Sequence, residues 1–98
     1  MIVDAVLAND EWDLFLFRCR YLSPKVDKFY VGESAVTFSG LKKGLCFSDR
    51  LDELRALDKP VQVIKIDIPE RLLHGVQRWA IETYARDSFL EQVATLHP

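Results

Sequence analysis

The sequence predicts an α/β fold in three layers around a mostly parallel sheet. Three observations lead there. Short β-rich runs at 2–7, 29–32 and 61–66 alternate with helical patterns, which calls for crossover connections. The first of these runs, Ile2 to Leu7, is almost continuously apolar, as strands covered on both faces are. From Glu70 to about Leu96, apolar residues at Leu72, Val76, Trp79, Thr83, Leu90 and Val93 follow a three-to-four spacing that a strand cannot produce.

The run Ile2 to Leu7 is broken only by Asp4 and reads as the first strand. A helix follows: Asn9 or Asp10 can cap it, Glu11 and Asp13 suit the positive end of its dipole, and Ser23-Pro24 stops it. Phe29 to Gly32 is the second strand, ending at Glu33-Ser34 and the basic loop GLKKG. Asp49 to Leu57 reads as a short surface helix, and Val61 to Ile66, entered by Pro60, as the third strand. The chain closes on the long amphipathic pattern from Glu70, one helix or two.

Composition bounds what this fold can do. With 98 residues and 49% hydrophobic residues, one domain spanning 1–98 can bury a modest core. Thirteen basic and fifteen acidic residues are mixed along the chain to a net charge of −2, so neither nucleic acid nor an anionic membrane is an expected partner. Cys19 and Cys46 lie in apolar surroundings without metal-ligand spacing, and His74 and His97 lack companions, so no metal site is expected within the chain. The N-terminus has no basic leader and no run approaches about 18 apolar residues, from which we expect a cytoplasmic setting.

Ligands of parallel α/β sheets bind beyond the carboxyl ends of the strands. Glu33 and Ser34 stand at such an end, where the carboxylate either accepts hydrogen bonds from a ribose or base or caps the next turn of a solvated loop, and Lys42 and Lys43 can approach phosphates. Arg18 shares a helical stripe with Glu11, Leu14, Phe15 and Leu22, among apolar neighbours, and is expected to pair with Glu11 or Glu33. Arg86 falls on the stripe of Trp79, Thr83 and Leu90, facing either Glu82 one turn back or a phosphate-bearing ligand. Neither a Gly-rich phosphate loop, a GxSxG elbow nor a Cys-His pairing is present.

The succession IVDAVLANDEWDLFLFRCRYL, VDKFYVGESAVTFSGLKKGLCF and ETYARDSFLEQV resembles glycosyltransferase family 17, the β-1,4-mannosyl-glycoprotein β-1,4-N-acetylglucosaminyltransferase-like proteins, in their N-terminal part. The most specific piece is the second, with its Glu-Ser, Thr-Phe-Ser-Gly and lysine in order; Asn9, Glu11, Leu14 and Arg18 support the first, and Glu82, Arg86 and Asp87 the third. The resemblance implies a nucleotide-diphospho-sugar transferase fold and a site for a nucleotide sugar of the uridine-diphosphate type. Its residues would be Asn9, Glu11, Glu33, Ser34, Lys43, Arg86 and Asp87. It also implies a downstream Asp-x-Asp element that holds a divalent ion, manganese or magnesium, against the donor diphosphate. The 98 residues contain no Asp-x-Asp, so no catalytic residue is assigned within them. Ala5 stands where the family commonly has cysteine, Gly32 where it has a bulkier apolar residue, and Gly44 where it has proline.

The expected function is therefore that of an N-terminal fragment or truncated member of a nucleotide-sugar-dependent glycosyltransferase, transferring N-acetylglucosaminyl or a related hexosyl group in the complete protein. The alternative is a non-catalytic nucleotide-binding or protein-interaction module of that fold. In that alternative, an exposed sheet edge is expected to allow a homodimer.

Overall fold

In the computed structural model, residues 1–8, 11–34, 46–72 and 78–96 are described. The expected elements at Asn9, Asp10, Lys42, Lys43, Gly44, His74, Val76 and His97 lie outside them. Three strands, β1 (Val3–Leu7), β2 (Lys28–Ser34) and β3 (Val61–Ile66), form a parallel sheet in the order β1-β2-β3. Helix α1 (Trp12–Leu22) follows β1, a 3₁₀ turn (Ser48–Arg50) leads into the short α2 (Leu51–Arg55), and α3 (Arg78–Leu96) follows β3 and a second 3₁₀ turn (Glu70–Leu72).

Alternation along the strands divides the core in two. Phe29 and Val31 of β2 face α1 and pack with Phe15, Cys19, Val26, Phe47 and Leu54. Tyr30 points the other way and packs with Ile64, Ile66, Ala85, Phe89 and Val93. Because both faces of the sheet are covered, the strands carry no polar alternation, and the three-layer expectation holds. Among the described residues, no helix is long and apolar enough to cross a membrane.

Local signals set most boundaries. The N-cap of α1 falls on Glu11, which makes no side-chain capping bond, and the Phe15 N–H donates to the Glu11 carbonyl at 2.9 Å. Its other end closes where the Ser23 N–H donates to the Cys19 carbonyl at 2.9 Å, directly before Pro24, which cannot continue a helix. β2 runs two residues further than expected: Glu33 stands opposite Lys65 and Ser34 opposite Ile66.

Helix α3 departs from the expected stripe. Its buried face is Ile81, Ala85, Phe89 and Val93, whereas Trp79 and Leu90 are exposed. The expected and observed stripes share Val93 alone, because α3 carries apolar residues around more than one face and periodicity cannot choose between them. Gly32 makes the choice. A Cβ there would lie 2.6 Å from Cδ1 of Phe89, so the missing side chain is the space that lets the Phe89 ring lie on the sheet.

Candidate functional site

The carboxyl end of β1 opens beside α1 into a cleft of about 270 Å³ lined by Val6, Ala8, Glu11, Leu14, Phe15 and Arg18. The stripe read from the helix is thus real, but the partner of Arg18 is Asp4 of β1, not Glu11 or Glu33. Arg18 Nε and Nη2 donate to the two Asp4 oxygens at 2.6 and 2.7 Å, a two-pronged bond that raises the guanidinium pKa further. Asp4 and Val6 sit on the α1 face of β1, which brings the carboxylate under the helix; sequence spacing alone does not display that contact. The pair is also less buried than expected, with side-chain exposures of 43% for Arg18 and 14% for Asp4.

Of its two readings Glu33 takes the turn-holding one, enclosed in the fold rather than in a solvated loop. It does not face an open crevice at the strand end: it is 0% exposed, and its carboxylate is enclosed by the chain that returns toward α2. One oxygen accepts the backbone N–H groups of Cys46 and Phe47 at 2.8 and 3.0 Å, and the other accepts that of Ser48 at 2.5 Å. Three successive amides converging on one carboxylate neutralise a charge that would otherwise be costly to bury. They also seat Phe47, whose fully buried ring meets Phe15 edge-on at 5.2 Å and Trp12 at 5.6 Å. Ser34, at the end of β2, is buried as well.

On the opposite face, α3 and the 3₁₀ turn before it border a second cleft of about 370 Å³, lined among others by Arg71, Trp79, Thr83, Tyr84 and Asp87. Arg86 stands on the neighbouring helical position and donates to Glu82 at 3.0 Å in an exposed i,i+4 pair. That was one of the two partners the sequence left open.

Of the seven residues expected at a ligand site, Asn9 and Lys43 lie outside the described residues. Glu11 borders the β1 cleft, Asp87 the α3 cleft, Glu33 and Ser34 are enclosed, and Arg86 lies on the helix surface. Sequence reasoning missed Arg71 and Trp79 as cleft-lining groups; the only signal for Trp79 was its place on a stripe that was read as core.

Cys19 is buried beneath α1, and desolvation pushes its thiol up to about 11, so it remains protonated at neutral pH. Among the described residues no three His, Cys, Asp or Glu side chains come together to hold a metal ion. A divalent ion therefore finds no donor set among the described residues.

Parallel strands with helices on both faces and clefts at the carboxyl edge define a Rossmann-like α/β domain. The chain matches the pattern of Glycosyltransferase family 17 over residues 1–96. It belongs to that family. No curated protein and no solved structure matches it.

Proposed function

We propose that this chain supplies the donor-nucleotide side of a nucleotide-sugar-dependent glycosyltransferase, and that the nucleotide lies at the carboxyl end of β1. The observation that carries this reading is the division of helices between the two faces. α1 and Phe47, in the connection from β2 to β3, pack on one face and α3 on the other. Parallel crossovers are right-handed, so a parallel strand following α3 belongs beside β1 and not beyond β3. The strand order then reverses at β1, and such a switch point is where α/β sheets bind ligands.

The β1 cleft, at about 270 Å³, lies just below the usual range of ligand pockets and has room for a base or ribose, not a whole nucleotide sugar. Glu11 offers a carboxylate to hydroxyl or ring N–H donors, and Asn9 adjoins it in sequence. Arg86 and Asp87 lie on α3, across the sheet from this cleft, and on the family relationship alone they and Lys43 are proposed toward the diphosphate and sugar. Glu33 acts on this site through the backbone: it holds the chain at Cys46 to Ser48, next to the segment that carries Lys43. We assign the donor to the uridine-diphosphate class and the transferred group to N-acetylglucosamine or a related hexose on the family relationship alone.

The test is titration of the ¹⁵N-labelled chain with uridine diphosphate, with inorganic diphosphate as the control. Affinity on the order of millimolar is expected, because a half-walled site forgoes most of the contacts that offset the cost of association. Shifts should concentrate at Ala8, Glu11 and neighbouring residues of α1, and Glu11→Gln should weaken them. Shifts confined to surface lysines, or equal shifts with inorganic diphosphate, would overturn the reading.

A further inference from the structure

Asp4 occupies only one side of the Arg18 guanidinium. Nε and Nη2 donate to the two carboxylate oxygens at 2.6 and 2.7 Å, which takes one hydrogen from each nitrogen. The outer end of the fork, formed by Nη1 and the second hydrogen of Nη2, makes no further hydrogen bond among the described residues. The side chain is half exposed and borders the β1 cleft. Asp4 therefore fixes the orientation of a guanidinium whose donors are not exhausted, and its hydrogen bond outweighs the opposing effect of burial to keep the group charged.

Between Glu11 and Arg18 the cleft is walled by Val6, Ala8, Leu14 and Phe15, all apolar. Glu11, at the N-cap of α1, and Arg18 are seven residues apart, which is about 10.5 Å along the axis at 1.5 Å per residue. That span suits a flat ring inside the cleft with its ribose at the mouth. Glu11 stands at the carboxyl edge of the sheet, where the phosphates leave, so the base lies at the deeper end, against Arg18. A strand placed beside β1 after α3 extends the sheet that floors this cleft and leaves its helix wall as it is.

We propose that Arg18 selects the base of the bound nucleotide, donating from the end of its fork to the 4-oxo group of a uracil ring while Asp4 holds the other edge. This rests on the nucleotide lying in the β1 cleft. A guanidinium has donors and no acceptor. Uracil offers an oxo acceptor where cytosine offers an amino donor, so a fixed fork pairs with one pyrimidine and opposes the other. Asp4 acts through Arg18, as a positioning residue.

Uridine diphosphate and cytidine diphosphate share ribose and phosphates and differ only in the base, so their affinities for the ¹⁵N-labelled chain decide the matter. The uridine form should bind about tenfold more tightly, the scale of one hydrogen bond to a charged group. Arg18→Gln should bring the two within about twofold, because an amide can donate to an oxo group or accept from an amino group. Far-ultraviolet circular dichroism checks that this variant is folded, and the comparison in the unsubstituted chain needs no variant. Equal affinities there, with Ala8 and Glu11 still shifting, overturn the role of Arg18 and leave the nucleotide in the cleft. Undiminished selectivity in folded Arg18→Gln does the same. If neither nucleotide shifts Ala8 and Glu11, the placement falls and this inference with it.

Discussion

Replacing Glu33 by alanine removes the acceptor for three backbone N–H groups at once, at Cys46, Phe47 and Ser48. A hydrogen bond to a charged group contributes about 1.5–3 kcal/mol, so the gross loss is several kcal/mol. Water entering the vacated space returns part of it to Cys46 and Ser48, which are only partly enclosed. The net expectation is about 3–5 kcal/mol, the scale seen when a buried charge and its partners are separated. Against a total stability of roughly 5–15 kcal/mol, such a loss leaves the domain marginal. Glu33→Gln keeps the shape and one acceptor oxygen and should cost about 2 kcal/mol. Urea denaturation followed by Trp12 fluorescence is the appropriate assay, because Trp12 touches Phe47, whose seat depends on these amides. A loss below about 1 kcal/mol for Glu33→Ala, with an unchanged m-value, would refute the reasoning and return the carboxylate to the surface.

Three further outcomes are expected. Gly32→Ala should cost about 1–3 kcal/mol by driving a methyl group into the Phe89 ring, and a double-mutant cycle with Phe89→Leu should recover part of it; additive effects would deny the contact. Arg18→Ala should cost about 1–2 kcal/mol, well short of a fully buried pair because the guanidinium is half exposed; Arg18→Lys should recover little, since lysine lacks the planar fork that meets both Asp4 oxygens, and salt dependence of the unfolding midpoint checks the electrostatic share. Cys19 should react with iodoacetamide far more slowly than the half-buried Cys46 at neutral pH. Because its folded pKa is raised from the ordinary 9.0 to about 11, its share of stability is present below 9.0 and lost as pH rises through 11, which pH-dependent denaturation of Cys19→Ala against the parent chain will register.

The strands, the first helix and the layering are legible in the sequence. Near-continuous apolar runs mean strands covered on both faces, and Ser23-Pro24 stops a helix wherever it lies. Those are local statements, and local physics is written in local residues. It also determined the family, through an ordered series of residues that spans the chain. What the charged residues do is set by contacts between distant parts of the chain. Asp4 reaches Arg18 across fourteen positions, and Glu33 reaches amides thirteen to fifteen positions away, through a backbone that has no side-chain signature. A glutamate at a strand end looks the same in sequence whether it greets a ligand or binds its own chain. The face of α3 was likewise undecided until Phe89 met Gly32, because a helix apolar on several sides takes its orientation from the surface it packs on.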